Sequence, residues 1–117
     1  MQFDIKKIKD IFFKKSQQEK QELELDRKRV LKETESIIKN YFVDVDKKVE
    51  IYLIGSILKP YQFNKHSDIN IVIKGSDKSK LDIWLDLEER FSRKIDVVSY
   101  EKCHFKDFID KYGIRII

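Results

Sequence analysis

The sequence predicts an α+β domain, a small mixed sheet of about four strands packed against helices, with an extra helical segment at its N-terminus. Three observations predict it. Short β-branched runs at Val49–Ile54 and Ile69–Ile73 bracket a Gly-Ser turn. A third short run, Lys94–Tyr100, has the same character, and the stretches before and between these runs carry apolar residues at helical spacing.

In chain order the helices come first. Residues Phe3–Phe13 place Ile5, Ile8 and Phe12 on one stripe, widened by Ile11 and Phe13, with lysines elsewhere. This predicts an amphipathic helix, and at this length a core or subunit-packing role outweighs a membrane-surface one. From Lys14 to Arg29 only Leu23 and Leu25 are apolar, while good helix formers and the Glu24–Lys28 spacing predict a solvated helix, broken near Ser16. Val30, Leu31, Thr34, Ile37, Ile38, Tyr41 and Phe42 then form one face of a longer helix that should pack on the sheet. Residues 1–21 are accordingly read as a helical extension and residues 22–117 as the main domain.

After a polar turn at Asp44–Lys48, Val49–Ile54 reads as a buried strand that Gly55-Ser56 ends abruptly. Gly55 permits a tight turn, Ser56 can cap the segment after it, and Pro60 limits any helix there to about one turn. Tyr61–His66 is a loop. In the next strand Ile69, Ile71 and Ile73 share one face, leaving Asp68, Asn70 and Val72 on the other. Ser76 or Asp77 would cap a helix running to about Phe91, with Leu81, Trp84, Leu85 and Glu88 on one stripe and Ile83, Leu87 and Phe91 beside it. Trp84 has helical neighbours and belongs to the core rather than to a base-stacking site. Asp96 stands alone within the third strand, either as a device against edge aggregation or as a ligand beside Asp68 and Asn70. Phe105, Phe108, Ile109 and Tyr112 predict a closing helix over Lys102–Tyr112, stopped by Gly113, and Ile114–Ile117 reads as a last strand.

Bulk composition bounds the function. A chain of 117 residues is one domain with a modest core, and Lys plus Arg exceed Asp plus Glu by 25 to 21. That mild basic excess is spread along the chain, so nucleic-acid binding is permitted and not indicated. Cys103 is the sole cysteine, which excludes an internal disulfide and leaves no zinc-ligand spacing around Cys103-His104. No signal-peptide core or membrane-length apolar run is present, so the expected compartment is the reducing cytoplasm.

The ordered set Gly55-Ser56, Asp68-Ile69-Asn70 and Asp96, each beside an apolar strand, resembles the nucleotidyltransferase superfamily, and within it the small stand-alone minimal nucleotidyltransferases. The resemblance covers about residues 22 to 117, including the ending FKDFIDKYGIRII. It implies transfer of a nucleoside monophosphate, AMP above all, from an NTP such as ATP to an acceptor, with Mg²⁺ as cofactor. On this resemblance Asp68, Asn70 and Asp96 are the catalytic and metal-binding residues. Gly55, Ser56, Lys59 and Ser67 are the nucleotide-binding ones, with Lys59 where many relatives carry arginine. Lys59 has a plainer reading as a solubilising surface lysine, and Lys65, His66 and Ser67 one as ordinary loop residues. The family's second aspartate is Asn70 here, a neutral ligand in a place that in active members helps hold both metals. For minimal members the resemblance further implies an antitoxin role toward a HEPN-type toxin, through modification of a protein hydroxyl. The alternative is a binding protein of the same fold that neutralises its partner without chemistry because of Asn70.

Overall fold

The computed structural model describes residues 4–46 and 48–117. Met1–Phe3, and Lys47 in the turn before the first strand, lie outside the described residues. Helix α1 spans Ile5–Phe42, α2 spans Lys80–Glu88 and α3 spans Lys106–Tyr112. Strands β1 (Glu50–Ile54), β2 (Ile69–Lys74), β3 (Ile95–Ser99) and β4 (Ile114–Arg115) form one sheet in the order β3-β2-β1-β4. Strand β2 runs antiparallel to β1 and parallel to β3, and β4 is antiparallel to β1. The mixed α+β sheet predicted from the sequence is therefore present.

Strand alternation decides which residues face which layer. Ile51, Leu53, Ile69, Ile71, Ile73, Ile95 and Val97 are buried against Val30, Ile38 and Phe42 of α1 and Ile83 and Leu87 of α2. On the opposite face Ile54 and Val72 pack with Ile109 of α3. Helix α3 covers the face opposite α1 and α2. It does so because Val72 and Ile54 are apolar at positions where alternation points them away from α1 and α2.

Several element boundaries also differ from the sequence reading. Helix α1 is continuous for 38 residues, with no break at Ser16, because that serine lies among strong helix formers and its environment is exposed. Asp4 caps it, accepting from Lys7 N at 3.2 Å. Its buried residues begin only at Arg27, so Ile5, Ile8, Ile11, Phe12 and Phe13 are exposed and form no core contact within this chain. Ser79, not Ser76 or Asp77, caps α2 by accepting from Asp82 N, and Ser76 instead closes a turn with Lys78. That shift makes Ile83 and Leu87 the buried stripe and leaves Leu81, Leu85 and Glu88 exposed. Helix α3 starts at Lys106, after turns at 100–102, and buries only Ile109. The last strand is confined to Ile114–Arg115.

A polar clamp ties the turn after β1 to α1. Arg27 is 8% exposed, and its Nη1 donates to the carbonyl of Ile57 at 2.9 Å while Nε and Nη2 donate to Glu24. Glu24 Oε2 in turn accepts from Tyr61 N at 3.1 Å. The Arg27 hydrogen bond and the Tyr61 amide hold the Glu24 carboxyl well below its ordinary 4.5, at about 2. A folded-state value below the unfolded one means that this stabilisation is complete above about pH 4.5 and is lost as pH falls toward about 2. Thermal melting of Glu24→Gln against wild type should show a difference that is largest at neutral pH and closes across that acid window. Arg27→Ala removes the donor from the fully buried Ile57 carbonyl, which costs about 1–3 kcal/mol and should lower Tm by roughly 5 °C or more.

Candidate functional site

The site is built on three neighbouring strands. Ile54 of β1 pairs with Asn70 of β2, and Asn70 pairs with Asp96 of β3, so the three stand in one row across the sheet. Residues paired in register project to the same face, and adjacent strands lie about 4.8 Å apart. The row faces the α3 side, where Ile54 packs with Val72 and Ile109. Asn70 and Asp96 are half-buried. The sequence-based expectation that the third strand pairs beside the second, bringing Asp96 to Asn70, agrees with this register.

Asp68 lies just before β2, opposite Lys94. Ile69 N donates to the Lys94 carbonyl at 3.1 Å, and Lys94 Nζ is 3.8 Å from Asp68 Oδ2. Lys94 is a residue that sequence reading left unassigned, although its place two residues before Asp96, at the mouth of a strand paired with β2, was the available signal. Its side chain is 78% exposed, so the pair is weak and Asp68 remains open to other cations. Among the described residues no three Asp, Glu, His or Cys side chains gather as a metal-binding group. The oxygen donors are thus two carboxylates, Asp68 and Asp96, with the Asn70 amide between them. Mg²⁺ commonly takes one or two carboxylates and completes its shell with phosphate and water, so this donor set fits one such ion. It does not supply a third carboxylate to bridge a close pair.

The turn after β1 is shaped by Gly55, whose φ of 91° and ψ of −160° belong to a region essentially reserved for glycine. A Cβ at this position would stand 2.6 Å from Asn70 Nδ2, so the Asn70 amide lies directly against the bare α-carbon. Ser56 opens a one-turn 3-10 helix, Ser56–Leu58. Its cap position is Gly55 and no side chain caps it, which corrects the reading of Ser56 as a cap. Pro60 follows the turn, as expected for a residue that cannot extend a helix. Lys59 is exposed and, with Gly55, lines a cavity of about 360 Å³. A larger concavity of about 480 Å³ lies elsewhere, lined by α1, residues 90–93 after α2, Lys65 and Ile69, and contains none of the residues expected in the site.

The loop before Asp68 is internally bonded. Ser67 Oγ accepts from Asn64 N at 3.0 Å, Asn64 Oδ1 accepts from His66 N at 2.8 Å, and Arg93 donates to the carbonyl of Asn64 at 3.2 Å. The Ser67 hydroxyl therefore holds the loop and has its proton left to donate. His66 and Lys65 are exposed on the same loop.

Fold and site together define a nucleotidyltransferase-type protein. Residues 36–117 match the family Polymerase beta, Nucleotidyltransferase, and the chain belongs to that family. No curated protein sequence matches it. Two solved structures share the fold. A mutant of the toxin-antitoxin MntA-HpeT has a TM-score of 0.57 at 20% identity, covering 71% of this chain and 71% of that one. A toxin-antitoxin with AMP-PNP has a TM-score of 0.58 at 21% identity, covering 71% of this chain and 72% of that one.

Gly55→Ala should cost about 1–3 kcal/mol through its backbone alone and displace the Asn70 amide. Adding Asn70→Ala relieves the contact and leaves the backbone strain, so urea denaturation should show only partial recovery in the double variant.

Proposed function

We propose that this protein binds an NTP, ATP in the first place, with Mg²⁺, and transfers its nucleoside monophosphate to a hydroxyl of a partner toxin with pyrophosphate as the leaving group, acting as the antitoxin of a two-component pair. The observation that carries the reading is the row Ile54, Asn70, Asp96 with Asp68 at its edge, because it sets the Gly55 turn beside two carboxylates. Asp68 and Asp96 would hold the metal, with the Asn70 oxygen as a neutral ligand. The metal would neutralise phosphate charge and lower the pKa of the attacking hydroxyl. The chain's own residues do the positioning: Gly55 allows close backbone approach to phosphate, Ser56 and Ser67 donate hydroxyl hydrogens, and Lys59 supplies a cation on the same side. Asp96 would accept the acceptor's proton.

The partner reading is supported by the toxin-antitoxin structures that share the fold, one of them with AMP-PNP. A HEPN-type helical toxin is the partner that the minimal-nucleotidyltransferase resemblance implies. Residues 4–21, read as an extension of the 22–117 domain, would help dock it: this exposed half of α1 carries Ile5, Ile8, Ile11, Phe12 and Phe13. No helix among the described residues is long and apolar enough to cross a membrane. A cytoplasmic location fits the single unpaired cysteine.

A second reading is favoured by one observation: a neutral Asn70 stands between only two acidic groups. In it the protein covers its partner and performs no transfer. Incubation with labelled ATP, Mg²⁺ and the co-encoded partner, followed by intact mass of both chains, separates the two. The transfer reading expects a gain of one or more nucleoside monophosphates on the partner, reduced about a hundredfold or more by Asp68→Ala. Asn70→Asp should raise the rate about tenfold or more if charge at that position limits it. An unchanged mass in wild type and Asn70→Asp, with the complex still intact, leaves the covering reading alone.

A further inference from the structure

Helix α3 presents an aromatic pair that neither the fold nor the residues considered so far explain. Phe108 and Tyr112 stand one helical turn apart with ring centroids 5.1 Å apart, and they are 42% and 57% exposed. The neighbouring Ile109 is the residue that α3 buries in the sheet, so these two rings are free of that duty. The helix itself is fixed. Gly113 N donates to the Ile109 carbonyl at 2.8 Å, and Tyr100 OH donates to Asp110 across the base of the helix. Two large rings held at an exposed position on a fixed helix form a preorganised surface.

Their other side faces the Gly55 turn. Phe108 and Tyr112 line the cavity of about 360 Å³ together with Ile54, Gly55, Leu58 and Lys59. Ile54 is itself the first member of the row that continues through Asn70 to Asp96. The cavity therefore adjoins the Gly55 turn, whose α-carbon lies against the Asn70 amide of that row. Its volume lies within the range of about 300–1,000 Å³ usual for small-molecule pockets.

We infer that Phe108 and Tyr112 form the nucleobase platform of this site, and that it selects purine over pyrimidine nucleotides while barely distinguishing adenine from guanine. The inference rests on the nucleotide-binding reading and deepens it. Stacking on aromatic faces is tolerant of base identity and grows with ring area, which favours the two-ring purines. Telling adenine from guanine requires hydrogen bonds to the base edge. Among the described residues, the side chains lining the cavity include no amide or carboxylate, and the polar side-chain groups there are the Lys59 ammonium and the Tyr112 hydroxyl. Lys59 is spoken for by phosphate in the proposed function. Lys111 Nζ lies over the Tyr112 ring, 5.2 Å from its centroid, so a base has the opposite face of Tyr112 and the Phe108 ring to use.

The test is calorimetric titration of the full chain with the Mg²⁺ complexes of ATP, GTP, CTP and UTP and with magnesium tripolyphosphate. The expected result is that ATP and GTP bind within about threefold of each other and CTP and UTP about tenfold or more weaker. The double variant Phe108→Ala, Tyr112→Ala should lose about tenfold or more for ATP and nothing for tripolyphosphate. Should the double alanine variant fail to fold, Phe108→Leu with Tyr112→Leu keeps apolar volume without a stacking face and is expected to give the same loss. Equal binding of purine and pyrimidine nucleotides, or wild-type ATP affinity in a folded double variant, overturns the platform while tripolyphosphate binding keeps the phosphate site. If neither ATP nor tripolyphosphate binds, the nucleotide reading and the platform fall together.

Discussion

The structure depends on the register of β2, which is hydrogen-bonded on both sides and buried on both faces. Its odd-numbered isoleucines, Ile69, Ile71 and Ile73, enter the core under α1 and α2, and Val72 enters the smaller core under α3. A slip of one residue would exchange the faces, placing Asn70 in the larger core and the isoleucines against α3. Burial thus fixes which side Asn70 takes. Because β1 and β3 are both paired to β2, the same constraint brings the end of β1 and Asp96 into line with it. Hydrophobic pattern, with no polar contact of its own, decides where the polar groups meet.

Polar groups then hold what the sheet cannot reach. The segment between β1 and β2 has only a one-turn helix of regular structure, and it is anchored at three points. Arg27 takes the Ile57 carbonyl, Glu24 takes the Tyr61 amide, and Arg93 takes the Asn64 carbonyl while its guanidinium stacks 4.4 Å from the Phe63 centroid. Phe63 itself is fully buried. The turn at Gly55 and the approach to Asp68 are therefore tied back to α1 and to the segment between α2 and β3. A second network, Lys78 donating to Tyr41 OH and Asp86 while Tyr41 donates to Asp86, joins the far ends of α1 and α2. Burial of the phenol and its bond to the carboxylate raise the Tyr41 pKa, so the phenol stays a neutral donor.

The strands were legible because alternation is a local signal: Ile69, Ile71 and Ile73 name their face without knowledge of the partner. So was Asp96, a lone acid in an apolar run. The Gly55 turn was legible for a different reason, since a glycine ending a buried strand has few other uses. What resisted were features decided at a distance. Both Ser76 and Ser79 are sound caps, and Asp46 accepting from Asp77 N draws the first into the preceding turn. The closing helix reads as a single apolar stripe, yet a small core beneath it admits only Ile109, which leaves Phe108 and Tyr112 outside. The first half of α1 carries apolar residues that nothing else among the described residues covers, and no local pattern distinguishes an exposed apolar stripe from a buried one.

In the proposed transfer reading Asn70 is the residue on which the chemistry would turn, and charge counting clarifies its effect. Asp68 and Asp96 contribute two negative charges, and Lys94 beside Asp68 and Lys59 beside Gly55 contribute two positive ones. With a third acid the site would be net negative and would call for a second cation before a triphosphate could approach. With Asn70 it is balanced, and one divalent ion arriving with the nucleotide would be enough to offset the phosphates. The contact of the Asn70 amide with the Gly55 α-carbon adds a reason of its own: a neutral amide can rest against a turn proposed to receive phosphate, where a carboxylate would repel the anion. Under the proposed transfer reading, a neutral residue at this place would give up a bridging ligand for a second metal and ease the approach of the anion.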